Sequence, residues 1–248
     1  MYPIISFNQS ERRVEGFLPW VDAEHPSFPE NKFFSGALYY VRNDDHDVYT
    51  GEARLKAFDA TIECFPVDLL LIVMAGEIIL EDDEETPARF QSGQAVVVPR
   101  SARVHWTQTE GTRVFFMHHR RDALDDQTTP NPRIVPIDPA GALEPASPPP
   151  ADLILGASLP AVGRRTLYTS TDGKFTVGLW GAEPYRRRLA AFGDYELMHF
   201  LEGQVTLTNA IGESQTYGPG ETLIVNRAIS NAWESNAYIK KIYCKISV

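Results

Sequence analysis

Apolar residues along this chain come in short runs closed by turn residues. "DLLLIVMAGEIIL" (68–80), "GQAVVVP" (93–99) and "TRVFFM" (112–117) are rich in β-branched and aromatic side chains. So are "YELMHFLEGQVTL" (195–207), "GETLIVN" (220–226) and "IKKIYCKI" (239–246). Runs of this length and composition predict strands, and no stretch carries the 3.6-residue spacing of a long amphipathic helix. The expected fold class is all-β.

The runs repeat. Gly51, Gly76, Gly93 and Trp106 recur as Gly178, Gly203, Gly220 and Trp233, each pair 127 residues apart. "MAGEIIL" aligns with "LEGQVTL", and "SGQAVVVP" with "PGETLIVN". One offset holding for four landmarks identifies two copies of one β unit. Between the copies, "TTPNPRIVPIDPAGALEPASPPP" (128–150) holds eight of the 18 prolines. Proline fixes φ and lacks the N–H a ladder needs, so this segment reads as an extended connector. The expected organisation is an N-terminal unit over 1–127, a linker over 128–157 and a C-terminal unit over 158–248.

A net charge of −10 argues against a nucleic-acid surface, which needs a basic face. The N-terminal "MYPIISFNQSERR" has no leader-like apolar stretch, and no run reaches the length of a membrane helix. A cytoplasmic protein without membrane or nucleic-acid partners is expected. Two cysteines, Cys64 and Cys244, sit in apolar runs and are expected to be buried, reduced thiols.

The strand–glycine–strand–Pro-Gly–strand pattern resembles the cupin superfamily. That family's first motif ends in Glu-x6-Gly, matched by Glu196 and Gly203; its second opens Gly-x5-Pro, matched by Gly93 to Pro99 and, with asparagine last, by Gly220 to Asn226. Trp233 and "IKKIY" are more specifically similar to the short cupins related to the ethanolamine-utilisation Q protein, whose functions are mixed or unassigned. The resemblance implies two tandem jelly-roll (double-stranded β-helix) barrels, a bicupin.

It also implies where a metal would sit, since most cupin enzymes hold one with His, His, Glu and His. Those positions carry Leu189, Ala191, Glu196 and Asn231 in the second unit, and Ile62, Cys64, Leu69 and Val104 in the first. The alternative spacing gives Ala190 and Phe192, or Glu63 and Phe65. No spacing supplies a histidine, so no metal and no cofactor are expected. Side chains on a strand alternate faces. If Glu196 points inward, so do Met198 and Phe200, and His199 points out as a packing or interface residue. His105 and Asp68 each stand one residue away from a ligand position. The adjacent His118 and His119 cannot face one ion and are expected at a solvated strand end, before Arg120 and Arg121. His25 and His46 lie in polar, loop-like sequence, and "EDDEE" (81–85) reads as a solvated turn.

An inward carboxylate without a metal needs another partner. Lys241 shares a face with Tyr243 and Lys245 by parity, though a register slip by one would bring in Lys240 instead. Asn231 can donate an amide N–H. The run Arg186–Arg188 is expected at the barrel mouth. The candidate ligand-binding set is therefore Glu196, Asn231, Trp233, Lys241 and Tyr243. Trp106 and Trp233, as tryptophans repeated in a β core, read first as packing with their N–H groups satisfied and second as pocket wall, and Trp180 carries the same two readings.

Three functions stay open. The first is a metal-free bicupin binding a small polar molecule in its C-terminal barrel. The second is an enzyme: a divergent metal site using Glu63, His105 or Glu196, or a metal-free isomerase or lyase with Glu196 as base and Tyr243 or Lys241 as acid. The third is a structural or assembly module. A homodimer is left open in each.

Overall fold

Each apolar run forms strand, and every strand pairing among the described residues is antiparallel. The structure is a computed structural model that describes residues 4–6, 14–16, 34–83, 86–119 and 132–248, with backbone alone for 14–16 and 34–36. His25, Arg120, Arg121, the last two residues of the acidic run and the first residues of the proline-rich segment lie outside the described residues. The described helical structure is a single short turn, Ala151–Leu153. No described helix is long and apolar enough to cross a membrane.

Each repeat yields one seven-stranded and one four-stranded sheet. In the second repeat the large sheet runs Ile4–Ser6, Thr222–Val225, Tyr195–Glu202, Ile239–Ile246, Phe175–Ala182, Val162–Thr169, Glu144–Ala146. Its small sheet runs Arg186–Ala191, Ser230–Glu234, Val205–Asn209, Ser214–Tyr217. The first repeat has the same order: Val135–Ile137, Ala95–Val98, Asp68–Ala75, Arg113–His119, Val48–Leu55, Phe34–Asn43, Val14–Gly16 in the large sheet, and Phe58–Ile62, Val104–Gln108, Glu77–Glu81, Ala88–Gln91 in the small one. Gly76 and Gly203 adopt φ of 79° and 73° at the tight turns linking a large-sheet strand to a small-sheet strand, a conformation that favours glycine. A Cβ on Gly203 would also run into the Tyr238 carbonyl.

The compact units do not follow the expected boundaries. One comprises Met1–Gln9, Asp138–Thr169 and Thr176–Val248; the other comprises Ser10–Ile137 and Ser170–Phe175. The proline-rich segment is not a free connector where it is described. Val135–Ile137 adds an edge strand to the first unit's large sheet, and Glu144–Ala146 adds one to the second unit's. Prolines 136 and 145 fit there because an edge strand can leave one side of its backbone unpaired.

The first unit is filled. Ile62, Leu69, Leu71, Val73, Val104, Trp106 and Phe116 belong to one buried apolar cluster drawn from both of its sheets. Trp106 stacks on Phe65 at 5.9 Å, and its indole N–H donates to Gln108 Oε1 at 2.9 Å. This tryptophan is packing.

Three expectations need correction. Cys64 is exposed rather than buried, because the chain bends at 63–64 after the strand ends and sends Phe65 inward instead. Cys244 is buried. His118 and His119 are buried rather than solvated, because their strand continues through both and is paired on each side, with Tyr49 and Val48 and with Leu69 and Asp68. His118 stacks on Tyr49 at 4.7 Å, and His119 Nε2 lies 3.2 Å from Asp172.

His199 is on the face opposite Met198, is also buried, and shares a 2.8 Å hydrogen bond with Thr222 Oγ1. Burial pulls its imidazole down to about 4. The folded state therefore holds His199 neutral where the unfolded chain binds a proton, so stability falls as pH drops from about 6.5 to about 4. The loss from this group should reach about 3 kcal/mol. Urea unfolding at pH 7 and pH 4.5 should show it, and His199→Gln should flatten that part of the dependence.

Candidate functional site

The second unit is not filled in the same way. Between its sheets lies a cavity of about 390 Å³, walled partly by Trp180, Tyr185, Phe192, Trp233 and Tyr243. Arg164, Arg187, Lys241 and Lys245 line it together with Asp194 and Glu196.

Strand register explains the arrangement. Met198 pairs with Tyr243, Phe200 with Lys241 and Glu196 with Lys245, so parity puts Glu196, Lys241, Tyr243 and Lys245 on one face. Lys245, directly opposite Glu196, instead bonds Asp194. Lys241, two pairs along, reaches back and donates to Glu196 Oε1 at 2.8 Å. Lys240 points the other way, donating to the Gly141 carbonyl at 3.2 Å, so the inward residue is Lys241.

Both members of the pair are largely buried, with side-chain exposures of 6% for Lys241 and 13% for Glu196. The Lys241 ammonium lies 4.9 Å from the centre of the Trp180 ring and 5.4 Å from that of Trp233, within cation–π range. Burial pushes the lysine below its ordinary pKa. Glu196 opposes that shift, while Arg187 and Lys245 add to it by repulsion.

Arg187 is the residue that sequence reading placed only as part of a run at the mouth. Its strand pairs it with Trp233, and a bulge follows before Ala190 pairs with Asn231. Arg186 and Arg188 are exposed, while Arg187 is buried. Its Nη2 donates to Asn231 Oδ1 at 2.8 Å, and its guanidinium sits 5.6 Å from the Phe192 ring centre. Burial lowers its pKa, with Tyr185 and Glu196 opposing. Alternation requires one of three consecutive arginines to face differently from its neighbours, and an inward Trp233 opposite Arg187 was the available signal.

Of the five candidate residues, Glu196, Trp233, Lys241 and Tyr243 line the cavity. Asn231 is fully buried and supports Arg187. Tyr243 hydroxyl is 3.2 Å from Thr166 Oγ1, and Arg164 stacks 5.9 Å from its ring centre. Trp233 stacks on Tyr185 at 5.7 Å and meets Trp180 edge-on at 5.8 Å. Two buried donors, the indole N–H of Trp233 and the amide nitrogen of Asn231, have no hydrogen-bond partner among the described residues.

The metal positions carry a poor donor set. Leu189 and Ala191 are exposed, Asn231 is engaged by Arg187, and Glu196 is held by Lys241. Among the described residues no group of three or more His, Cys, Asp or Glu is gathered as a metal site. Glu63 pairs with Arg103 at 3.0 Å, and His105 pairs with Asp59 at 3.1 Å; both are exposed or half-exposed in the first repeat. Asp68 accepts from the Arg100 N–H at 3.0 Å.

Residues 169–243 match the family described as the EutQ-like cupin domain. Among solved structures, a protein of unknown function from Pseudomonas syringae pv. tomato, in the DUF861 family, aligns over 98% of this chain and 100% of its own at 22% identity, with a TM-score of 0.82. The DUF861 protein Ylba from E. coli aligns over 98% and 89% at 11% identity, TM-score 0.54. A putative glyoxylate-induced protein from Pseudomonas aeruginosa aligns over 94% and 84% at 13% identity, TM-score 0.55. At these identities the likeness is one of fold. No curated protein matches the chain in sequence.

Removing one member of the Lys241–Glu196 pair should leave a buried charge without its counterion. Glu196→Gln and Lys241→Met should each cost about 3 kcal/mol, read from urea unfolding at pH 7.

Proposed function

We propose, from the premise that this chain belongs to the cupin superfamily and carries an EutQ-like cupin domain over residues 169–243, that its second jelly-roll unit binds a small polar molecule in the cavity at Glu196 and Lys241. The first unit is the structural partner. The observation that carries this reading is a comparison of the two interiors at the 127-residue offset. Where the second unit has Arg187, Glu196, Asn231, Lys241 and Tyr243, the first has Ala60, Leu69, Val104, Val114 and Phe116. A fold that closes well with apolar side chains has been given three charged groups, one phenol and one amide with an unsatisfied donor at five matched places. Such a mixture of apolar surface and a few convergent polar groups is typical of ligand pockets, and about 390 Å³ suits a small metabolite.

A metal-free acid–base enzyme would use the same residues, with Glu196 as base. Its ion pair with Lys241 opposes that role, because one of the two carboxylate oxygens, Oε1, is already held by an ammonium. Binding without turnover is the better-supported reading.

Melting curves of the full chain against hydroxy acids, amino acids, sugars, polyols and small amides test it. At about 100 times its dissociation constant a ligand should raise the melting temperature by about 5 °C. Ala190→Phe, which fills the cavity from its half-buried wall, should abolish the shift while the circular dichroism stays unchanged. No shift from any class, or a shift indifferent to Ala190→Phe, would contradict the proposal.

A further inference from the structure

The charges lining the cavity do not balance: among the described residues two arginines are left unmatched, Arg164 exposed and Arg187 buried. Lys241 is matched by Glu196 and Lys245 by Asp194. Arg187 is 8% exposed, and its hydrogen bond goes to the neutral amide oxygen of Asn231. No carboxylate lies within ion-pair distance of it among the described residues. A buried cation with a neutral partner is costly, and a guanidinium offers five N–H donors in a planar fork. Directly across the strand pair is Trp233, whose buried indole N–H has no acceptor among the described residues.

We infer that the ligand is a small monocarboxylate whose carboxylate seats on Arg187. The inference rests on the pocket reading above and deepens it. A carboxylate matches the guanidinium fork with two parallel, charge-assisted hydrogen bonds and supplies the missing counter-charge. A neutral acceptor would satisfy the N–H groups but leave the charge. A dianion such as phosphate would bring a second negative charge beside Glu196 and Asp194, which already line the cavity. The stacked rings of Tyr185 and Trp233 offer the body of the ligand a flat apolar wall. The Lys241–Glu196 pair supplies one donor group and one acceptor group for a polar substituent. Arg164, exposed at the rim and stacked on Tyr243, adds attraction for an anion on entry.

The test compares matched acids and amides: acetate with acetamide, glycolate with glycolamide, benzoate with benzamide, and inorganic phosphate alongside. Each is titrated into the full chain by calorimetry, with tryptophan fluorescence as a second readout. At least one carboxylate should bind about tenfold or more tightly than its amide. Arg187→Gln should weaken the acid by about tenfold to a hundredfold and the amide by clearly less. Arg187→Lys, which keeps the charge without the fork, should fall between and guards against misfolding of the glutamine variant. Amides that bind as tightly as their acids, with Arg187→Gln indifferent, would overturn the carboxylate assignment and leave the pocket reading standing. Phosphate binding more tightly than every carboxylate would overturn the assignment as well. If none of the three carboxylates binds, this inference falls; the pocket reading falls only if the wider ligand classes also leave the melting curve unmoved.

Discussion

An ammonium taken out of water must be held by what surrounds it, and the second interior is arranged around that requirement. Lys241 lies against the rings of two indoles and within hydrogen-bond distance of Glu196. The carboxylate supplies the counter-charge and the ring faces supply further attraction. Neither interaction gives the fold much that a well-packed hydrophobic pair could not give. Buried ion pairs are weak sources of stability, because desolvation of both partners offsets most of their attraction. Their presence at the centre of an otherwise apolar sheet pair points to use rather than to support.

The first unit shows what the same topology does without that requirement. Its interior is closed by aliphatic and aromatic side chains in the same sheet order. The two repeated tryptophans make the contrast concrete. Trp106 gives its N–H to Gln108, whereas Trp233 has Ser235 at the matching place, and Ser235 Oγ instead accepts from the Tyr185 N–H at 3.3 Å. The shorter side chain leaves the Trp233 donor without a partner among the described residues. One duplicated residue has thus become packing in one copy and a pocket wall in the other.

Much of this was legible in the sequence. The cupin resemblance pointed to Glu196 and Lys241, and parity grouped Lys241 with Tyr243, while a register slip to Lys240 stayed open until the strand pairing was known. Parity separates Arg187 from Arg186 and Arg188 but does not say which face is inward; that needs the pairing with Trp233, and the bulge before Ala190 hides this register from the sequence. Parity misread His118 and His119, because a polar doublet at the end of an apolar run resembles a solvated end until the neighbouring strands are known to cover both faces. The edge strands Val135–Ile137 and Glu144–Ala146 were hidden by their prolines, which argue against strand in general but not at an edge.

The central claim is that the polar interior serves a ligand and not the fold. The most direct measurement is the melting temperature of the double variant Glu196→Leu, Lys241→Val, which installs the residues the first unit carries at those places. The account expects a melting temperature equal to or above that of the unaltered protein, because an apolar pair would replace a desolvated ionic one. A fall of several degrees, with the circular dichroism otherwise unchanged, would mean that the pair holds the unit together, and would contradict the claim.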